Sequence, residues 1–103
     1  MIDLLKSLFG SAPKMDFAEM IRNGATIVDV RSKGEFQGGH IKGSVNIPLQ
    51  ELERNLSKID KNKPVITCCA SGMRSASAKS VLKANRFSDV HNGGGWSSLQ
   101  GKL

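Results

Sequence analysis

The sequence contains no tyrosine, and its aromatic side chains are limited to four phenylalanines and one tryptophan. Proteins that bind single-stranded nucleic acid commonly stack the bases on several exposed aromatic rings. A single domain of 103 residues needs most of its few aromatic rings for its own hydrophobic core. We therefore predict that the protein has no nucleic-acid partner.

Cysteine is also scarce, since Cys68 and Cys69 are the two thiols of the chain. Adjacent cysteines cannot join distant segments, and a disulfide between neighbours is strained. We therefore predict free thiols in a reducing compartment, the cytoplasm. Two vicinal cysteines and two isolated histidines do not have metal-ligand spacing, so neither a metal nor a cofactor is expected.

Long apolar runs are missing as well, and no stretch is long enough to cross a bilayer. The first residues differ from an export signal, because Asp3 stands where such a signal is basic and Lys6 interrupts a short apolar stretch. We interpret residues 1–13 as an amphipathic extension that docks on the domain, a membrane surface or another subunit. Residues 14–103 form the predicted single domain.

Acidic residues are outnumbered, with nine Asp and Glu against 15 Lys and Arg, a formal net charge of +6. Such an excess steers small anions toward a protein, and it also suits a loose encounter with an acidic partner. An ordinary solvated basic surface explains the same excess and is the simpler interpretation.

Short β-branched runs alternate with helical patterns along the chain. Predicted strands cover residues 26–30, 41–48, 65–68 and 90–92, and helices begin after Asp16, Ser32, Pro48 and the loop that follows residue 69, and at Trp96. This alternation predicts an α/β fold with a mostly parallel sheet and helices on both faces. The functional site of such a fold lies outside the carboxyl ends of the strands.

Residues 65–75 lie at such an end and read as strand, loop and helix. The loop amides and the positive end of the helix would stabilise an anion or a thiolate. Arg74 lies at the start of the helix, where a cation is electrostatically unfavourable, and this indicates an anionic partner.

The residues alone leave two counts open for the nucleophile. Four residues separate Cys69 from Arg74, whereas five separate Cys68 from Arg74, which is the tyrosine-phosphatase spacing. The larger loop would hold a phosphate, and the smaller one has room for little more than an added sulfur atom. If Cys68 is not the nucleophile, we expect it to be a buried thiol that points away from the site.

Four further residues are expected to support the loop. Asp29 and Arg31 are predicted to form a structural ion pair or to brace the loop. Glu35 is predicted to cap a helix from Ser32 and to orient neighbouring groups. His40 is expected to make a turn hydrogen bond rather than to act as a general base.

The chain resembles the single-domain rhodanese-like sulfurtransferases in three blocks that cover nearly everything after Pro13. The blocks are residues 27–48 with Glu35-Phe36 and Gly39-His40, the loop Cys69-Ala70-Ser71-Gly72-Met73-Arg74-Ser75, and residues 90–96 with three glycines before Trp96. Such sequences carry the persulfide-forming nucleophile at the position of Cys69, which implies the smaller loop.

The resemblance further implies a five-stranded, mostly parallel sheet flanked by helices. It implies that the loop amides of Ala70, Ser71, Gly72, Met73 and Ser75 cradle the persulfide, and that Arg74 helps to hold an anionic donor.

The implied activity is a thiosulfate or persulfide sulfurtransferase that passes sulfur from Cys69 to cyanide, a small thiol or a sulfur-accepting protein. Two alternatives remain. One is a non-catalytic sulfur carrier or binding module, and the other is a phosphatase or arsenate-reductase-like enzyme.

Overall fold

The sheet of the protein is wholly parallel in the computed structural model, which describes residues 16–103. Its strands are β1 (Thr26–Asp29), β2 (Val45–Asn46), β3 (Val65–Cys69) and β4 (Val90–Gly95), in the spatial order β2-β1-β3-β4. The predicted α/β class with a parallel sheet is confirmed. Four strands rather than five lie within the described residues, and each overlaps one of the four segments that the sequence pattern predicts as extended.

Helices fill the connections between the strands. They are α1 (Phe17–Arg22), α2 (Lys33–Gln37), a 3₁₀ helix (Leu49–Lys58), α3 (Met73–Ala84) and α4 (Trp96–Gln100). The Asp16 carboxylate accepts the Glu19 N–H at the start of α1, at 3.0 Å. Both bonds of the predicted capping box between Ser32 and Glu35 are present. Local side-chain chemistry therefore sets where these two helices begin.

The connection between β1 and β3 is less regular than the sequence pattern predicts. The extended segment 41–48 pairs with β1 only at Val45 and Asn46, because a turn with Gly43 at φ +85° precedes them. The next helix is 3₁₀ and is interrupted at Asn55, which has φ −125°. Leu52 is nevertheless fully buried, so this element still contributes to the core.

Two hydrophobic clusters lie on opposite faces of the sheet. On one face the 3₁₀ helix and α3 pack against the strands through Leu52, Ala78 and Leu82. On the other face α1 and α4 contribute Phe17 and Leu99. Helices on both faces of the sheet are thus confirmed. The two clusters exclude water from the side chains on both faces of the central strands.

The parallel arrangement brings the carboxyl ends of β1, β3 and β4 to one edge of the sheet. Asp29, Cys69 and Gly95 end these three strands, and Cys69 is paired with Gly95. This edge is where the sequence predicts the site.

The predicted extension, residues 1–13, lies outside the described residues. Between residues 16 and 103, none of the helices has the length and apolar character needed to span a membrane.

Candidate active site

The loop between β3 and α3 curves around the sulfur of Cys69. Cys69 is the last residue of β3, and α3 begins at Met73. Gly72 makes the turn with φ +109°, a conformation that costs glycine little and other residues more. Its backbone N–H donates to Cys69 Sγ at 2.9 Å. The short loop therefore directs a backbone donor at the thiol.

Cys69 is 1% exposed and packs in the core cluster on the α3 face, so it is more buried than a position in a polar loop suggests. Burial raises the pKa of its thiol, but hydrogen bonds from the Ser75 hydroxyl and from the amides of Ser75, Gly72 and Ser71 outweigh burial. The net pKa lies below the ordinary value of 9.0. This environment favours the thiolate, which is the nucleophilic form of cysteine.

Cys68 has the opposite environment. It is fully buried in the second cluster, on the α1 and α4 face, because adjacent strand residues point to opposite faces. Burial and the charge of Asp29 raise the pKa of its thiol to about 12. The expectation that Cys68 is a buried thiol pointing away from the loop is confirmed. The five residues between Cys68 and Arg74 match the phosphatase spacing, but the loop that they form does not surround the Cys68 thiol.

Ser75 links the first turn of α3 to the cysteine. Its side chain is fully buried, and its Oγ lies 3.4 Å from Cys69 Sγ. The buried Thr67 hydroxyl donates to the Ser75 carbonyl oxygen at 2.8 Å, which ties the helix to β3. The distance between serine and thiol is thus held by the sheet.

Asn92, on β4, belongs to the same group and is absent from the residues proposed from the sequence. The Ser75 hydroxyl donates to Asn92 Oδ1 at 2.6 Å, and the Gly94 N–H donates to the same oxygen at 2.9 Å. The available signal is a polar residue at the end of the predicted strand 90–92, which lies next to the cysteine strand in the sheet. Strand order, which sequence periodicity does not provide, is needed to read it.

Arg74 does not stand free at the start of α3. Its guanidinium donates to both carboxylate oxygens of Glu35, at 2.7 and 2.9 Å. Hydrogen bonds from Arg74 and from the backbone and side chain of Ser32 hold the pKa of Glu35 far below 4.5. The pair also raises the pKa of Arg74. The sequence places Glu35 as a cap, and the structure adds that it anchors the arginine of the loop.

Asp29 and Arg31 form the predicted structural ion pair, which is confirmed as a buried contact of 2.6 Å. Arg31 also donates to the carbonyl oxygens of Glu35 and Gly39, and its guanidinium lies 4.7 Å from the Trp96 ring centre. Arg31 thus contacts the segment that carries Glu35, the residue paired with Arg74.

The remaining predicted residues lie around this centre. His40 is exposed, its Nδ1 lies 2.8 Å from the Phe36 carbonyl oxygen, and its ring stacks on that of Phe36. The expected turn hydrogen bond of His40 is therefore present. Ala70 and Ser71 are exposed, and the Met73 side chain is 81% exposed. The rim of the loop is thus open to an incoming molecule.

Gly95 permits the loop to lie close to β4. A Cβ atom at this position would come within 2.8 Å of the Ala70 carbonyl oxygen. The group that approaches Gly95 most closely is therefore the loop that follows Cys69. Residues 16–103 hold no cluster of three or more His, Cys, Asp or Glu arranged to bind a metal ion.

The chain is similar in sequence to known proteins. The uncharacterized protein YqhL of Bacillus subtilis is 39% identical over 80 residues, which cover 77% of this chain and 64% of that protein. The thiosulfate sulfurtransferase PspE of Escherichia coli is 36% identical over 70 residues, covering 66% of this chain and 67% of that protein. The chain thus spans about two thirds of the length of both relatives.

A solved structure extends the likeness to three dimensions. The rhodanese-related protein of Thermoplasma volcanium superposes with a TM-score of 0.69 at 35% identity, covering 82% of this chain and 83% of that one. Residues 14–102 match the rhodanese-like domain as a whole. The parallel sheet, the loop around Cys69 and these matches lead to one conclusion: the chain belongs to the rhodanese-like domain family.

Proposed function

We propose that the protein is a sulfurtransferase that carries sulfane sulfur on Cys69, taking it from thiosulfate or a persulfide. The observation that carries this proposal is the Cys69 sulfur itself, which receives the Gly72 N–H at 2.9 Å and has a lowered pKa. The name of the Escherichia coli relative, a thiosulfate sulfurtransferase, supports thiosulfate as a donor.

In the first step the Cys69 thiolate attacks the outer sulfur of thiosulfate. A new S–S bond forms on Cys69, the bond between the two sulfur atoms of thiosulfate breaks, and sulfite leaves with that electron pair. With a persulfide donor the leaving group is a thiolate instead. No proton has to move in either case, because the nucleophile is already ionised.

The negative charge then resides on the outer sulfur of the cysteine persulfide. Backbone donors of a loop stabilise such a charge in the way that an oxyanion hole does. The Gly72 N–H already donates to the Cys69 sulfur, and the amides of Ser71 and Ser75 also lower the pKa of the thiol, which supports the loop as the persulfide cradle.

In the second step a thiophilic acceptor attacks the outer sulfur. Cyanide yields thiocyanate and the Cys69 thiolate, and a thiol yields a new persulfide and the same thiolate. The exposed Met73 side chain beside the loop leaves room for a small molecule or for the thiol of a protein. The donor is anionic, and Arg74 is proposed to help hold it in competition with Glu35.

Free thiols at both cysteines favour a reducing compartment, and we propose that the protein acts in the cytoplasm.

Intact-mass measurement after incubation with thiosulfate tests the mechanism. We expect a gain of one sulfur atom that cyanide removes, in the wild type and in Cys68→Ala, and no gain in Cys69→Ser. Normal loading of Cys69→Ser would exclude Cys69 as the carrier.

Two further assays separate the rival functions. A non-catalytic sulfur carrier or binding module would form no thiocyanate from thiosulfate and cyanide, whereas we expect the protein to form it over many cycles. A phosphatase would hydrolyse an aryl phosphate, and we expect no such turnover, since Cys68 lies on the other face of the sheet.

A further inference from the structure

We propose that Asn92 is a positioning residue that competes with the Cys69 sulfur for the hydrogen bond of the Ser75 hydroxyl. This inference rests on the proposed function, in which Cys69 is the nucleophile. It assigns a role in sulfur transfer to a side chain of β4, a strand that carries none of the residues proposed for the loop.

One hydroxyl proton has three acceptors within reach. Ser75 Oγ lies 2.6 Å from Asn92 Oδ1, 3.0 Å from the Gly72 carbonyl oxygen and 3.4 Å from Cys69 Sγ. A hydroxyl donates only one hydrogen bond at a time. Ser75 is fully buried, so its hydroxyl donates to one of these three acceptors rather than to bulk water, although Asn92 itself is an exposed residue.

The protonation state of Cys69 decides the competition. A neutral thiol donates to Ser75 Oγ, and the hydroxyl then donates to Asn92 Oδ1, the nearest acceptor. A thiolate accepts only, and a hydrogen bond to a charged group is the stronger one. The hydroxyl therefore turns from Asn92 to Cys69 when the thiol ionises.

The Asn92 side chain keeps hydrogen-bond partners when the hydroxyl turns away. Its Oδ1 keeps the Gly94 N–H at 2.9 Å, while its Nδ2 lies 3.4 Å from the Gly72 carbonyl oxygen. These two contacts fix the amide with its oxygen toward Ser75. The cost of releasing the hydroxyl is therefore small, because Asn92 is exposed and its Oδ1 keeps the Gly94 N–H.

Persulfide formation reverses the change. The charge moves to the outer sulfur, and Cys69 Sγ becomes a weakly accepting, uncharged sulfur. The hydroxyl then returns to Asn92. The Asn92 side-chain amide thus competes with the Cys69 thiolate for the Ser75 hydroxyl before the thiolate attacks the donor. After the attack the amide accepts the hydrogen bond of that hydroxyl, which assists formation of the persulfide.

Charged groups on the neighbouring elements remain in place in this scheme. Arg74 of α3 interacts with the Cys69 charge and is paired with Glu35 of α2. Asp29 and Arg31, at the end of β1, act on the adjacent Cys68 thiol. Substitutions at Asn92 alter none of these groups, so a change in Cys69 ionisation reports on the hydroxyl and on any charge introduced at position 92.

The test is the pH dependence of iodoacetamide alkylation at Cys69, followed by the mass of its peptide. We expect Asn92→Ala to lower the apparent pKa of Cys69, by up to about one unit, because the hydroxyl loses its nearest competing acceptor and keeps only the more distant Gly72 carbonyl oxygen. We expect Asn92→Asp to raise it by a similar amount, because a carboxylate holds the hydroxyl more strongly and adds a negative charge.

The same substitutions in a Ser75→Ala background provide the control. Both shifts should fall by more than half when the hydroxyl is absent. Undiminished shifts, or a raised pKa in Asn92→Ala, would overturn the proposal. If Asn92→Ala does not fold, the near-isosteric Asn92→Asp variant carries the same comparison.

Persulfide loading, measured in parallel, separates the two proposals. Loss of loading in the wild type would reject sulfur transfer while leaving the pKa shifts interpretable. Normal loading with an unmoved pKa in every Asn92 variant would reject the role of Asn92 alone.

Discussion

Arg74 and Glu35, 39 positions apart in the sequence, form a bidentate ion pair with N–O distances of 2.7 and 2.9 Å. The Ser32 N–H donates to the same carboxylate at 3.0 Å, so Glu35 is held by α2 as well as by the loop. Each side chain of the pair is 38% exposed. An anionic sulfur donor that approaches Cys69 therefore competes with a carboxylate for the guanidinium of Arg74.

Replacing Glu35 by Gln should lower the KM for thiosulfate severalfold. Glutamine can still accept the Ser32 N–H, so the start of α2 is kept while the competing charge is removed. Steady-state thiocyanate formation at low ionic strength measures the effect, because salt screens exposed charges. Arg74→Ala should change KM in the opposite direction.

Glu53→Gln serves as the matched control, since it removes the same charge from an exposed position of the 3₁₀ helix. Its KM should stay within error of the wild type at the same ionic strength. An increase of KM in Glu35→Gln would contradict the competition model and would mean that the carboxylate serves mainly to place the guanidinium.

The location of the site was predictable from the sequence, whereas its contacts across the chain were not. Val65–Cys69, the following loop and the start of α3 are consecutive, so local patterns suffice to place Cys69 next to Gly72 and Ser75. The capping box between Ser32 and Glu35 is local in the same way and was also predicted.

Contacts between distant segments depend on strand order and on the path of the connections. Glu35 meets Arg74 because α2 and the loop lie at the same sheet edge, and Asn92 reaches Ser75 because β4 is next to β3. Periodicity indicates which face a residue occupies but not which segment lies beside it. The contacts of Glu35 with Arg74 and of Asn92 with Ser75 could therefore be identified only from the structure.

The two thiols should react very differently with iodoacetamide. The lowered pKa of Cys69 predicts alkylation with a midpoint below pH 9.0, and the pKa of Cys68, raised to about 12, predicts no reaction at neutral pH. Intact mass at pH 7.5 should show one adduct in the wild type and in Cys68→Ala, and none in Cys69→Ser. Two adducts on the folded wild type would contradict the assignment of Cys68 to the buried face.

Gly95→Ala should disturb the loop more than the size of a methyl group suggests. The new Cβ would lie 2.8 Å from the Ala70 carbonyl oxygen, so the loop or β4 must shift. Overpacking of this kind costs about 1–3 kcal/mol in the free energy of unfolding. We also expect slower persulfide loading, because Ala70 directly follows the nucleophile.

Gly34→Ala is the matched control for that substitution. Nothing lies within 4 Å of a Cβ at Gly34, which is an exposed position of α2. Alanine is favoured over glycine in a helix by roughly 0.5–1 kcal/mol, so the control should be neutral or more stable. Equal unfolding midpoints and loading rates for the two variants would show that Gly95 is not a point of close contact.

Asp29→Asn should destabilise the protein by about 3–5 kcal/mol, because it leaves the Arg31 guanidinium buried without its carboxylate. Urea denaturation measures the loss, which is a large share of the stability of an ordinary domain. Asp60→Asn, in an exposed turn where an amide oxygen can still accept the Asn62 N–H, should change little. Because Arg31 also donates to the Glu35 carbonyl oxygen, the surviving folded Asp29→Asn protein should hold Glu35 less firmly against Arg74 and show a lowered KM for thiosulfate. An unchanged KM together with the loss of stability would mean that the buried pair supports the fold without acting on the loop.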